Sequence, residues 1–304
     1  MKRIFGLGET VLDVIFKDRQ PVASRPGGSA FNALISLARA GHDVHMISEI
    51  GEDQVGQNIV RFLEDNGVDT NWLYRFDTGK TPVALAFLDE DNNASYQVYK
   101  DFPETRFLIE YPDFRKGDVL LFGSFFAVNP VLRSRVTPLL QKAREQGAYL
   151  IYDPNFRKHH SAGMEQYRPI IEENFGLAHL VRGSDEDFQT IYPGMVMEGV
   201  IEKVSAFGPG VMITANAGGV DCLVSRHHFH VEARDISPVS TIGAGDNFNA
   251  GLIHGMSLIS HLNGTPESWK EIVSYAIDFS TEVCLSFDNY ISEAFASSLS
   301  ARHE

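Results

Sequence analysis

The chain has 304 residues, 43% hydrophobic and 22% charged, which is enough to bury a large core in one domain. A formal net charge of −14 offers no basic face to nucleic acid or to an anionic membrane, so any phosphate it binds must be held locally. Cys222 and Cys284 lack metal or redox spacing, the N-terminus reads as a strand rather than a signal peptide, and no apolar run approaches about 18 residues. A reduced, cytoplasmic setting with no membrane partner is expected.

In chain order, short apolar runs alternate with helical patterns. Residues 4–8, 44–47, 119–122, 149–152, 180–181 and 211–214 are continuous apolar runs, as a parallel sheet covered on both faces requires. Between them Phe31, Leu34, Ile35 and Ala38 share a helical face, as do Val55, Ile59, Phe62 and Leu63 ahead of Gly67. Residues 131–146 form a further helix, with Pro130 at its first position and Gly147 at its end. Later, Ser184 caps a helix whose first turn is acidic, and residues 272–285 are helical. This rhythm predicts an α/β fold: a doubly wound, mainly parallel sheet flanked by helices, in a single domain spanning 1–304.

Two segments break the rhythm. Residues 11–16 with 22–25, and 83–88 with 95–100 joined through 89–93, read as strands and a hairpin with no helix between them. The inserted segments 11–25 and 82–100 are therefore expected to form a small separate sheet. His227, His228 and His230 read as a solvated strand without an acidic partner, not as a metal site.

Chemistry concentrates in two glycine-rich turns that open helices. In Thr241-Ile242-Gly243-Ala244-Gly245-Asp246, the backbone N–H groups of a helix start form an anion hole, and Asp246 stands at its lip, placed to deprotonate an attacking hydroxyl. The second turn is Pro26-Gly27-Gly28-Ser29-Ala30-Phe31-Asn32. Together they suggest phosphoryl transfer to an alcohol.

The pattern Gly27-Gly28-x-x-x-Asn32, paired with Thr241-x-Gly243-Ala244-Gly245-Asp246-x-Phe248-x-Ala250-Gly251, resembles the two signatures of the ribokinase-like (PfkB) sugar kinases, and the likeness runs through almost the whole chain. That resemblance implies the ribokinase-like fold with a β-lid over the sugar and a homodimer through that lid. It implies ATP and Mg²⁺ as cofactors and a small-molecule sugar as acceptor. Asp13, Gly27, Gly28 and Asn32 carry over as sugar-binding residues, and Asp246 with Gly243, Ala244 and Gly245 as the catalytic turn. Asp153-Pro154-Asn155-Phe156-Arg157 resembles a turn of bacterial fructokinases and 2-keto-3-deoxygluconate kinases, which puts Arg157 by the transferred phosphoryl group and Asp153 among the substrate and metal residues.

On the nucleotide side the resemblance implies Ser184, Thr214, Asn216, Gly219, Thr241, Gly243 and Asp278, with Asp187 acting on the metal through water. Here Ser184-x-x-Asp187 stands where relatives carry Asn-x-x-Glu, and Asn216 replaces a glycine, a substitution that a left-handed backbone tolerates. Ser240 replaces an aspartate beside a monovalent-cation site, which should leave that site weak or absent. The implied activity is an ATP-dependent sugar kinase. Fructokinase comes first, because the Asp153–Arg157 turn fits it and the lid segments look poor in aromatic residues; 2-keto-3-deoxygluconate kinase and ribokinase follow. A non-catalytic sugar or nucleotide sensor would have no use for Asp246 in this place.

Overall fold

A computed structural model describes residues 2–89, 94–156, 163–259 and 264–301. Its main sheet is built from β1 (Arg3–Leu7), β4 (Asp43–Gly51), β5 (Val68–Phe76), β8 (Val119–Gly123), β9 (Tyr149–Asp153), β10 (Leu180–Ser184), β11 (Gly210–Thr214), β12 (Val220–Val224) and β13 (His227–Val231). The strand order is β13-β12-β11-β10-β9-β8-β1-β4-β5, parallel from β11 to β5, with β12 and β13 added antiparallel at one edge. Alternation along each strand divides two apolar layers: Val119 and Leu121 belong to one, Leu120 and Phe122 to the other.

The first layer is covered by α1 (Ser29–Arg39), α2 (Gln54–Asp65), α8 (Ala244–Leu258) and α9 (Pro266–Cys284). The second is covered by α3 (Ser124–Val128), α4 (Arg133–Glu145), α5 (Met164–Leu177), α6 (Asp185–Ile191) and α7 (Met197–Ser205). The doubly wound sheet is as expected. Helices α8 and α9 approach especially closely: a Cβ added at Gly251 would lie 2.7 Å from the Ala276 Cα, and one at Gly255 3.1 Å from the Ile272 Cα. Among the described residues no helix is long and apolar enough to cross a membrane.

A second sheet, ordered β3-β2-β6-β7, contains β2 (Val11–Lys17), β3 (Gln20–Gly27), β6 (Lys80–Leu88) and β7 (Ala94–Asp101). Residues 90–93 of the expected hairpin turn lie outside the described residues. Two local expectations need correction. Pro130 does not open a helix: Asn129 turns the chain first, its Oδ1 accepting from the Val131 N–H at 3.0 Å, and α4 begins at Arg133. His230 does have an acidic partner, because antiparallel pairing sets it opposite Asp221, with 2.8 Å between Nδ1 and the Oδ1. A strand pair supplies such a neighbour from nine residues away, beyond the reach of a local reading.

Candidate active site

The C-terminal ends of the parallel strands and the inner face of the second sheet enclose a cavity of about 280 Å³. Helix α8 points its N-terminus into this space. Gly243 is its N-cap at φ 80°, and no side chain caps the helix. A Cβ at residue 243 would stand 3.0 Å from the Asn289 carbonyl oxygen, so the left-handed turn and the close approach both select glycine. Asp246 sits in the first turn and lines the cavity, its Oδ2 accepting from Asn32 Nδ2 at 2.8 Å.

Asn32 comes from α1, the helix opened by the other glycine turn. Gly28 is its N-cap at φ 138°, where a Cβ would overlap the Glu9 carbonyl oxygen. At Gly27 a Cβ would lie 3.2 Å from Asp13 Oδ2 and 3.8 Å from Asn32 Oδ1. The two turns thus converge, bringing Asp13, Asn32 and Asp246 to one wall. Among the described residues the buried Asn32 Oδ1 has no hydrogen-bond partner, an acceptor left for a hydroxyl donor.

Other expected residues stand elsewhere. Asp153 is buried beneath α8 rather than on the cavity wall; its Oδ2 accepts from Arg182 Nη1 at 2.9 Å and Asn249 Nδ2 at 2.6 Å, and its Oδ1 from the Asn155 N–H at 3.0 Å. The sharp turn at Pro154 therefore swings Asn155, not Asp153, into the cavity. Arg157 lies outside the described residues. Ser184 and Asp187 close a capping box on α6, with Ser184 Oγ donating to Asp187 Oδ2 at 2.6 Å and accepting from the Asp187 N–H at 3.1 Å. Burial, reinforced by the charge of Asp153, pushes the Asp187 carboxyl up to about 6.

On the nucleotide side, Asn216 adopts φ 48° and Gly219 φ 81°, so the asparagine occupies a left-handed position. Thr214 ends β11 with its hydroxyl accepting from Arg182 Nη2 at 2.7 Å. Thr241 accepts the Ala244 N–H at the entry to α8, and Ser240 Oγ accepts the Ile242 N–H at 3.2 Å. Asp278 is held by Arg234, 2.8 Å from its Nη2.

Sequence reasoning missed several residues on the cavity wall. Glu49, at the end of β4, is buried against Arg106, whose Nε donates at 3.0 Å and whose guanidinium stacks 3.4 Å from the Phe102 ring centroid. Burial pushes the Glu49 carboxyl up and Arg106 pulls it back. Glu9 accepts the Phe126 N–H at 3.3 Å; burial raises its carboxyl too, against that bond and the nearby charge of Lys100. Ser124 and Asn155, at the ends of β8 and β9, have φ 52° and 46°, and Asn155 Nδ2 donates to Ser124 Oγ at 3.2 Å. Strained positions of this kind cluster at functional sites.

Within the lid segments, Tyr96 is the one aromatic residue among the described lining of the cavity. Every second residue of β7, namely Tyr96, Val98 and Lys100, faces the cavity, and Phe102, Phe125 and Phe126 join them. These residues are dispersed in sequence and gather only through pairing.

A model of the pfkB family of carbohydrate kinases matches residues 1–292. The fructokinase of Vibrio alginolyticus is 23% identical over 84% of this chain and 85% of its own length. Among solved structures, Vibrio cholerae fructokinase in a fructose-, ADP- and potassium-bound form superposes with a TM-score of 0.86 at 22% identity, covering 98% of each chain. Aminoimidazole riboside kinase from Salmonella enterica, complexed with aminoimidazole riboside and an ATP analog, reaches 0.84 at 21% identity over 99% of each chain. This chain belongs to the pfkB family of carbohydrate kinases, and is a phosphotransferase acting on a sugar hydroxyl.

Proposed function

We propose that the protein is an ATP-dependent kinase of a neutral sugar, with D-fructose as its first acceptor. The observation that carries this reading is the charge balance of the cavity: among its described lining residues, Glu9, Asp13, Glu49 and Asp246 face only Lys100 and Arg106. Arg106 is already spent on Glu49, and Arg25, another cation near the lid, is tied to Asp288 at 2.7 Å. A carboxylate-bearing sugar such as 2-keto-3-deoxygluconate would meet net negative charge and no unengaged arginine of these two. The fructokinase relatives point the same way.

In this reading Asp13 and Asn32 Oδ1 receive hydroxyl hydrogen bonds from the sugar. Asn32 Nδ2 orients Asp246, which takes the proton from the attacking primary hydroxyl. Backbone N–H groups from Gly243 to Asp246 hold the transferring phosphoryl group as charge develops on it, and Arg157 assists. Thr214, Asn216 and Gly219 shape the nucleotide side. Sheet β3-β2-β6-β7 acts as the lid that excludes water. Its outer face, where Phe16 stacks on Phe87 at 5.0 Å, is the seat for a second copy of the chain.

Magnesium supplies charge neutralisation of the phosphates when it arrives with ATP. Among the described residues no group of three or more His, Cys, Asp or Glu is placed to hold a metal, and Asp187 is committed to its cap, so an ion bound with ATP would take few direct protein ligands.

The aromatic wall supports a second reading, a riboside carrying a flat heterocycle, which would stack there. Sugar-dependent ADP release across fructose, 2-keto-3-deoxygluconate, ribose and an aminoimidazole riboside tests both. Fructose should give the highest kcat/KM; preference for the riboside would transfer the assignment to the second reading. Sugar binding without turnover of any of them would defeat both.

A further inference from the structure

Arg182 is 6% exposed, in the middle of β10, and belongs to neither glycine turn. Its two Nη atoms reach opposite halves of the site. Nη1 donates to Asp153, which also holds Asn249 of α8, while Nη2 donates to Thr214 at the end of β11. The guanidinium plane lies against the first turn of α8: a Cβ added at Gly245 would stand 2.7 Å from Nη1, 3.2 Å from Nη2 and 3.3 Å from Cζ. Farther along the same helix, the Phe248 ring centroid is 5.2 Å from Cζ.

This placement explains Gly245 differently from Gly243. Residue 245 is an ordinary helical position that any residue could occupy by backbone conformation, yet a side chain there would displace the guanidinium. The glycine makes room for a charge. That charge is costly to bury, and one of its donors, Nε, has no partner among the described residues. Asp153 compensates part of it, and with Asp187 nearby the buried cluster holds two carboxylates around one guanidinium. A merely structural joint between β9, β10 and β11 could be made of apolar side chains at less cost.

Resting on the kinase reading above, we propose that Arg182 is a positioning residue for phosphoryl transfer. It fixes the α8 N-terminus and the β11 nucleotide end in one frame, and offsets the Asp153 carboxylate that would otherwise stand uncompensated beneath the amides that receive the terminal phosphates. Helix amides alone offer about half a charge, so a carboxylate left uncompensated beneath them would substantially weaken the attraction for a triphosphate. Arginine suits the task because its planar fork serves two acceptors at fixed geometry, which an ammonium cannot do.

The test uses Arg182→Met and Arg182→Lys in the full chain. Calorimetric titration with a non-hydrolysable ATP analogue and with AMP separates phosphate attraction from nucleoside binding. For Arg182→Met we expect analogue affinity to fall at least about tenfold with AMP affinity kept within about threefold, and kcat to fall about 10²-fold. Arg182→Lys should restore analogue affinity to within about threefold of wild type while kcat stays at least about tenfold low, because the charge returns but the fork does not. Equal losses for both nucleotides would reduce Arg182 to a structural joint. So would wild-type kcat in Arg182→Lys, a variant that decides the matter alone if circular dichroism shows Arg182→Met unfolded. Wild-type protein that binds no ATP analogue would remove the kinase reading and this role together, whereas unchanged variants of an active enzyme would remove only the role of Arg182.

Discussion

The end of the cavity at the α8 N-terminus, where phosphate is proposed to sit, presents backbone; the end proposed for the acceptor presents side chains. At the first, amides of α8, a left-handed glycine and the Asp246 carboxylate are held in place by neighbouring elements. At the other, Glu9, Lys100, Phe125 and Tyr96 arrive from separate segments, and the pocket they shape depends on each of them. Backbone amides can do one thing well, which is to hold an anion, whereas side chains can be exchanged singly to admit another acceptor. The two ends should therefore respond differently to change: the backbone end in rate, the side-chain end in binding.

The largest effect tests the first half of that contrast. Asp246→Asn keeps the size of the side chain and removes the base, so kcat should drop by a factor on the order of 10²–10⁴ while nucleotide and sugar affinities stay within a few fold. Retained turnover would mean that the backbone end does not hold the base. At the acceptor end, Asp13→Ala leaves a sugar hydroxyl unpaired at roughly 1–3 kcal/mol, equivalent to about 5- to 150-fold in KM for the sugar, with KM for ATP nearly unchanged. Parallel rises in both constants would erase the division between the ends.

A smaller effect concerns the joint between them. Helices α1 and α8, which carry Asn32 and Asp246, are also tied at their far ends by His42 Nε2 and His254 Nδ1, 2.9 Å apart. Burial holds the His42 imidazole below the ordinary histidine value. A group whose folded pKa is depressed supports the fold above its unfolded pKa and loses that support as pH falls toward the folded one. The melting temperature should therefore decline between about pH 7.5 and about pH 5.5, and less steeply in His42→Gln. Identical slopes would place the acid sensitivity elsewhere.

The smallest effect is a near absence. Ser240 spends its hydroxyl on the Ile242 N–H and brings no carboxylate to the turn before α8. Replacing a large organic cation by potassium at constant ionic strength should change the rate by less than about twofold. A saturable potassium requirement would show that other oxygens complete a site at the backbone end.

The same contrast explains what could be read in the sequence. Gly243, Gly28 and the residues after them are legible because backbone conformation constrains residue type locally, and the alternation of apolar runs with helical faces conveys the doubly wound sheet. The left-handed turn at Asn216, with its φ of 48°, is legible for the same reason. Asp153 misleads because a carboxylate after a strand looks alike whether it faces ligand or a buried arginine; its partners, Arg182 and Asn249, lie 29 and 96 residues away. The aromatic wall is invisible for a related reason. Tyr96 and Phe125 become neighbours of one cavity only after β7 pairs with β6 and the chain has crossed to β8.

Gly251 and Gly255 let α9 settle directly onto the backbone of α8, leaving the helix no slack in which to tilt or slide. By helical rise, Gly255 is about 15 Å from the amides that would meet phosphate. In the proposed reading, opening and closing of the cavity fall to the second sheet, whose strand β7 is exposed over residues 95–101, while α8 stays still. In hydrogen exchange that asymmetry would appear as slow amides along α8 and fast ones along β7. It also means that the proposed phosphate site can be damaged from a distance: a single methyl group at either glycine would push α8 and α9 apart and shift the turn at Gly243.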